Sequence, residues 1–374
     1  MIKKCTCIFF LVFLSFQALG FDYPYTMRSP RGLLMGDAFT AVNDDAYTLF
    51  YNPASLGRHK SDLSLYPFPI SISGTNVLAD MDRFQDFPEE PVGVADVLMN
   101  YPAHVSAGIA PGFKLFNFGI SFIANESLDA LVRNKSHPML DLDLRSDKGL
   151  VFGVGIPIGP NRISKKSKMG SQTSLGVSAK YIERTGVKDT MALAGPTVGD
   201  ALGRDNIQDV MKSLGNVKGI GWGFDAGLEH VVRQGNTQFI VGLSALDITG
   251  TEYKVDKNPD NLQVANTKDQ VNLGFAAGQN LTLFHYIISA DVRALNEQID
   301  FAQRLRFGAQ VGVPGLSLIG GVNSGYYSYG AALDLAFMKL TAGFYEVELG
   351  SKYKQIKSRR FMIYLSLFDF SFDA

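Results

Sequence analysis

The sequence predicts an all-β fold: a transmembrane antiparallel β-barrel of about 14 strands whose lumen is plugged by the N-terminal part of the chain. Three observations point there. The N-terminus has the make-up of an export signal, and no later apolar run reaches the roughly 20 residues a membrane-spanning helix needs. Most of the chain alternates apolar and small or polar residues with a period of two. A stretch of about 40 residues ahead of the first alternating segment does not alternate at all.

At the N-terminus, Lys3 and Lys4 precede an apolar run from Cys5 to Phe16, followed by Ala18-Leu19-Gly20. A charged start, a short apolar run and small residues at a cleavage site make residues 1–20 an expected signal peptide, cut before Phe21. No cysteine stands at that site, so no lipid anchor is expected. The whole chain has 374 residues, 35 Lys+Arg against 36 Asp+Glu, and only two cysteines, Cys5 and Cys7. Loss of residues 1–20 leaves 33 basic against 36 acidic side chains and no thiol, which excludes disulfides, thiolate catalysis and cysteine-ligated metal. Without a basic excess, nucleic acid is not an expected partner.

The alternation is plain in Tyr286, Ile288, Ala290, Val292 and Ala294, which face away from His285, Ser289, Asp291 and Arg293. It recurs in Gln303 to Val311 and in Gly221 to Glu229, where Trp222, Phe224, Ala226 and Leu228 oppose glycine, Asp225 and Glu229. Successive strand side chains point to opposite faces, so each segment has one apolar and one polar face. A soluble sandwich would bury the apolar faces against each other. A membrane barrel turns them toward lipid and keeps small and polar groups inside, and the export signal with the cysteine-free remainder favours it.

Alternating segments fall near 62–73, 101–110, 115–124, 148–158, 172–184, 218–231, 237–248, 270–278, 284–294, 303–312, 316–323, 327–336, 338–347 and 360–370, fourteen in all. With the first strand running outward, the long connections (74–100, 125–147, 185–217, 249–269, 295–302 and 348–359) fall on the outer side, with 159–171 the exception on the inner side. That is the asymmetry expected of bacterial barrels. Leu140-Asp-Leu-Asp-Leu144 also alternates and is expected to extend a neighbouring strand above the membrane. Asp141, Asp143, Arg145 and Asp147 then share one rim face, where a solvated charged edge is favoured over a calcium site, which needs six to eight oxygens from several segments. A short amphipathic helix is expected near 203–214 in an outer loop, with Asp205 or Asn206 as N-cap.

Residues 21–61 form the expected plug, followed by the barrel at 62–374. Gly32 to Val42 reads as a short helix or turn, and Asn43-Asp44-Asp45-Ala46 and Asn52-Pro53-Ala54-Ser55 are turn or cap chemistry. The inferred lumen face carries Lys180, Asp225, Glu229, Asp291, Arg293, Arg304, Arg306 and Asp334, charges of both signs that one another or a plug would satisfy.

The stretch Gly36 to Gly57, with its Asn52-Pro53-Ala54 element, resembles the N-terminal hatch of the long-chain fatty-acid outer-membrane transporter family (FadL-like). The chain looks closer still to the related group that contains the PorV-like secretion proteins. Gly176 to Ile182, Leu243 to Thr249, and Ala342 to Gly350 through Arg359-Arg360-Phe361 are similar to that group as well. The resemblance implies a fourteen-stranded barrel with a gating hatch, centred here on Asp44, Asp45, Asn52, Pro53 and Ala54. It also implies a lateral gap at a kink in the third strand, where Gly119 is the one glycine; a glycine making room for the plug is the equal alternative. The chain departs from such barrels at its end, where Asp373 and Ala374 follow Phe372 in place of a terminal aromatic residue.

Enzyme chemistry is not expected. The five histidines, His59, His104, His137, His230 and His285, lack metal spacing, and no Walker or nucleophile-elbow pattern occurs. Gly153-Val-Gly155 and Gly219-Ile-Gly-Trp-Gly223 fit alternating lumen glycines better than phosphate loops. No cofactor or metal is expected. The expected role is a passive, hatch-gated passage for hydrophobic small molecules, with outer-membrane lipid and an apolar ligand as partners, in the outer membrane of a diderm bacterium. The alternative is a secretion or assembly component that docks a protein partner on its outer loops.

Overall fold

A computed structural model describes residues 25–58, 62–83, 96–159, 169–192, 216–255, 264–335 and 337–373. The expected signal peptide and the expected helix at 203–214 lie outside the described residues.

Fourteen antiparallel strands close into one barrel. They are β1 (Asp62–Tyr66 and Phe68–Thr75), β2 (Ala103–Ile109 and Gly112–Leu115), β3 (Phe118–Arg133), β4 (Met139–Ile158), β5 (Met169–Ala192), β6 (Val217–Gln234) and β7 (Thr237–Leu246). The circuit continues with β8 (Gln270–Asn280), β9 (His285–Val292), β10 (Leu305–Val313), β11 (Leu316–Asn323), β12 (Tyr326–Leu335), β13 (Met338–Glu348) and β14 (Lys357–Leu367 and Phe370–Asp373). Each pairs with the next, and β14 returns to β1 through Ile363↔Ile72 and Phe372↔Leu63, which closes the sheet. Closure leaves no unpaired edge, the condition for a sheet to cross a bilayer. The breaks in β1 and β2 fall where Pro67 and Pro111 remove a ladder donor.

The lipid and lumen faces follow the alternation. Phe122, Phe152, Val177, Phe224, Ile288 and Leu318 are among the large apolar side chains exposed on the outer face. Aromatic pairs lie on this surface too, such as Tyr181 with Trp222, their ring centroids 5.0 Å apart. On the inner face Asn272, Asp291 and Lys180 are buried instead. A barrel in water would place these two sets the other way round, so the surface itself defines a membrane protein.

Two boundaries differ from the sequence expectation. The connection expected at 125–147 is mostly strand: β3 runs to Arg133 and β4 starts at Met139, leaving only 134–138 between them. The first part of the expected 185–217 loop is likewise strand, because β5 reaches Ala192. Leu140 to Leu144 pairs along β3 and β5 as an extension, as expected. In consequence β3 to β6 have 16, 20, 24 and 18 residues, against the roughly 9–11 that cross a bilayer, and their surplus rises at the long-loop end.

The hydrophobic core lies inside the barrel, between the wall and residues 25–58. Leu34, Met35, Phe39, Leu49, Tyr51 and Leu56 of this segment are almost wholly buried and share one cluster with Ile123, Val151, Ile182, Ile240 and Met362 of the wall. Burying apolar surface here is what holds a segment without long secondary structure in place.

Candidate functional site

The luminal segment is organised by two capped turns. Ser29 caps a one-and-a-half-turn helix, α1 (Pro30–Leu34), its hydroxyl accepting from the Gly32 N–H at 3.1 Å with Pro30 at the first helical position. Asn52 does the same for a 3₁₀ turn, Pro53–Gly57, its Oδ1 accepting from the Ala54 N–H at 3.1 Å. The Asn52 amide also donates to the Leu228 carbonyl of β6 at 3.3 Å, so one side chain both shapes the turn and ties it to the wall. Pro53 and Ala54 are buried beside it.

Glycines in the wall let the segment approach this closely. A Cβ on Gly176 of β5 would overlap the backbone of Pro53 and Ala54, and one on Gly321 of β11 would overlap Met35 and Gly36. Gly155, Gly227, Gly274 and Gly308 face the segment in the same way. The alternating lumen glycines are therefore a fitted cradle, a role for glycine where another backbone comes close. Gly119 belongs with them in its surroundings: it is paired on both sides, with Lys114 and Gly153, and its open side meets Leu56 and Leu49.

Polar contacts add direction to this packing. Asp291 of β9 accepts from the backbone N–H of Phe39 at 2.9 Å and of Thr40 at 2.8 Å. Arg293, just beyond β9, is paired with Asp37, and Glu229 of β6 accepts from Ser55 Oγ at 2.5 Å with the Arg58 guanidinium 3.5 Å away. Lys114 of β2 donates to the Asp45 carbonyl and to Thr48 Oγ. Buried charges with such partners avoid the penalty that isolated ones carry. Lys180 and Asp225 form a second cluster within the wall, with Lys180 Nζ 2.7 Å from Asp225 and 2.9 Å from Asp247, and Ser178 donating to Asp225.

One of the charges assigned to the lumen network lies elsewhere, and another stands at the inner mouth of the lumen. Arg304 sits before β10 and donates to the carbonyls of Leu295, Glu297 and Ile299, holding the outer connection in shape. Asp334 is mostly exposed near the inner end of β12, 4.0 Å from Lys339. Arg306 turns up to the Gln303 and Leu305 carbonyls. The rim aspartates are occupied by cations: Asp141 by Arg133, Asp143 by Arg145 and Lys188, and Asp147 by Arg184. Among the described residues, no group of three or more His, Cys, Asp or Glu is placed to hold a metal ion.

Asp44 and Asp45 stand at the inner surface of the segment. Asp44 pairs with Arg31, while Asp45 accepts from Ser29 Oγ and from the Tyr47 N–H at 2.8 Å. Burial raises the Asp45 carboxyl above its ordinary range, against the lowering effect of its hydrogen bond from Ser29 and of Arg31. Below this surface a cavity of about 1050 Å³ opens toward the short-turn end of the barrel, bordered by Tyr47, Tyr66, Ile287, Leu333 and Tyr364 together with Arg233, Asp334 and Lys339. A smaller cavity of about 100 Å³ lies on the opposite side, toward the outer strand ends, between Met27, Pro30 and Leu33 and the wall residues Ser73, Asn125, Tyr345 and Met362.

Sequence reasoning did not single out Asp37, Arg58, Lys114 or Asp247, and it read Ser55 only as turn or cap chemistry. Each is an ordinary polar residue whose partner lies far along the chain, and only the tendency of buried charges to pair gave a signal.

Geometry and surface together define an outer-membrane-type β-barrel with residues 25–58 packed inside it. No protein-family model matches the chain, and no curated protein does. Among solved structures it is similar to a deltaS2 mutant of the TodX monoaromatic hydrocarbon channel, with 9% identity over 93% of this chain and 100% of that one and a TM-score of 0.42. A Pseudomonas aeruginosa FadL homologue gives 9% identity over 93% and 99% with a TM-score of 0.31, and the AIDA-I transport unit from Escherichia coli gives 10% over 91% and 99% with 0.38. The chain spans 60% of the length of CdiB from Acinetobacter baumannii, to which it is similar at 9% identity and a TM-score of 0.36. Hydrocarbon channels and autotransporter units occur side by side at this level of superposition, and the barrel rests on its own strand ladder.

Proposed function

We propose that this protein lets hydrophobic small molecules, fatty-acid-like or otherwise apolar, cross the outer membrane passively, with residues 32–57 as the gate. On this reading, residues 1–20 are an export signal removed before Phe21, and the gating residues are Asp44, Asp45, Asn52, Pro53 and Ala54. The observation that carries it is the filled lumen: residues 25–58, held against the wall by packing and hydrogen bonds with no cysteine to make a disulfide, lie above a cavity of about 1050 Å³. A general porin keeps a water-filled lumen for polar solutes. Here Leu34, Met35, Phe39, Leu49 and Leu56 fill the middle of the barrel, a medium suited to apolar cargo. The resemblance of Gly36 to Gly57 to the fatty-acid transporter hatch supports the same reading. Native mass spectrometry of protein taken from its own membrane in mild detergent tests it. A co-purified apolar molecule, lost in Asn52→Ala or Pro53→Ala protein, is expected, and a ligand-free barrel would overturn it.

One observation favours a second reading, a secretion or assembly component. Strands β3 to β6 rise well beyond the others on the outer side, a wall on which a partner protein could dock. Recovery of the barrel with a stoichiometric second polypeptide crosslinked to that wall would establish it.

A further inference from the structure

The two cavities on either side of the plug approach each other at one place. On β14, Met362 borders the outer cavity and Tyr364 the inner one, and these are successive luminal residues on the same strand. Two residues of strand span about 7 Å, so the partition there is about one side chain thick. On the plug side, Pro30 borders both cavities. Strands β13 and β1 flank the same gap: Tyr345 and Ser73 border the outer cavity, Thr341 and Tyr66 the inner one.

The seal at this seam differs in kind from the seal against six of the other strands. Against β4, β5, β6, β8, β10 and β11, plug backbone lies directly on wall glycines: Gly57 at Gly155, Ala54 at Gly176 and Gly227, Ala41 at Gly274, Met35 at Gly308 and Gly36 at Gly321. Opening on that side requires the plug backbone to leave the wall. At β14 the partition is made of side chains. Tyr47 meets Tyr364 edge to face with ring centroids 6.2 Å apart, and Met362 lies one alternation above. Side chains change rotamer far faster than packed backbone moves, and methionine is the most adaptable of the apolar ones.

Taking the plug-gated passage proposed above as given, we infer that its route runs along the seam of β13, β14 and β1, and that Tyr47, Tyr364, Met362 and Pro30 form the constriction that admits or excludes cargo. The rest of the plug stays seated on its glycine cradle. The four side chains of the constriction are apolar apart from two phenol hydroxyls, with Ser71 opposite Tyr364 a further hydroxyl on β1, so it admits a narrow apolar chain or ring edge more readily than a hydrated solute. Cargo size is then set at Tyr364 and Tyr47, and cargo need not displace the polar anchors at Asp291 and Glu229.

The test uses small solutes, so it needs no knowledge of the cargo. Full-length protein is reconstituted in liposomes, and potassium conductance and arabinose-driven swelling are measured for wild type, for the Tyr364→Ala/Met362→Ala double variant, and for a Val151→Ala/Ile182→Ala double variant on β4 and β5. The control pair is equally buried but lies on the glycine-cradled side. Heat-modifiable migration on gels verifies that each barrel is folded. The seam variant is expected to leak at least tenfold more than wild type, and the control to stay within twofold. Should the β14 variant fail to assemble, Tyr47→Ala opens the same layer from the plug side without touching the wall. A seam variant as tight as wild type, or a control that leaks equally, would overturn the route. Apolar uptake measured in parallel separates the two claims: leak at the seam without uptake sinks the transport reading, and uptake without leak at the seam sinks the route.

Discussion

Asp291 gives the sharpest prediction about how the plug is held. Its Oδ2 accepts two hydrogen bonds, from Phe39 N–H at 2.9 Å and Thr40 N–H at 2.8 Å, and both donors belong to fully buried residues. In Asp291→Ala both donors lose their acceptor where water is excluded. An orphaned buried donor costs about 1–3 kcal/mol, so two cost about 2–6 kcal/mol. Removing the carboxylate also ends the cost of burying a charge, which places the expected net loss near the low end, about 2–3 kcal/mol. At 1.4 kcal/mol per factor of ten, the unseated plug becomes about 30- to 140-fold more populated. Asp291→Asn keeps one oxygen able to accept both bonds and is expected to fall between the two. The assay is the frequency of open events from single barrels in planar bilayers. An Asp291→Ala barrel that folds and opens no more than threefold more often than wild type would refute the view that these two bonds hold the plug.

Three further predictions address the cradle, the cap and the pH response. In Gly308→Val, the ideal Cβ lies 2.5 Å from the Met35 carbonyl oxygen and 2.9 Å from Met35 Cβ, so the plug must retreat by about 1 Å or the variant loses about 1–3 kcal/mol; faster protease cleavage within 32–57 in the folded barrel is the expected readout. Asn52→Ala removes a cap and one wall contact and is expected to cost about 1–2 kcal/mol of plug stability, measured by hydrogen exchange at Ala54, with protection equal to wild type counting against the assignment. Because burial raises the Asp45 carboxyl in the seated plug, the seated state binds the proton more tightly than the released one. Its contribution to seating is thus fully present below the ordinary carboxyl range of about 4 and is lost as pH rises through the raised value. Asp45→Asn is expected to flatten that part of the open-probability profile, and an unchanged profile would exclude Asp45 as its source.

The barrel was legible because its code is local. A two-residue period, interrupted by short turns, fixes which residues face lipid, and the fourteen strands form where Tyr286 to Val292 or Leu305 to Val311 alternate. The alternation gives the face but not the height along the strand. Arg304 and Asp334 therefore carried lumen parity, yet Arg304 lies before β10 in the outer connection and Asp334 near the open inner end. The same limit hid how far β3 and β4 rise: Leu140 to Leu144 read as an extension with Asp141, Asp143 and Arg145 on one rim face, but the ladder also takes in most of 125–147, which read as a connection. The polar anchors were the least legible. Asp37 with Arg293 and Ser55 with Glu229 stand 256 and 174 residues apart, and nothing local links them. The abundant lumen glycines were visible in the sequence, but only the seated plug gives Gly155, Gly176, Gly308 and Gly321 their reason: at each of these, two backbones touch.

The most direct test of the central claim is the uptake of a labelled long-chain fatty acid by proteoliposomes carrying the whole chain or the chain without residues 32–57. Passage through a plug-gated barrel predicts saturable uptake with the whole chain and a changed rate with the shortened one, the barrel remaining inserted in both. Identical rates, or uptake no faster than protein-free liposomes in either case, would contradict it.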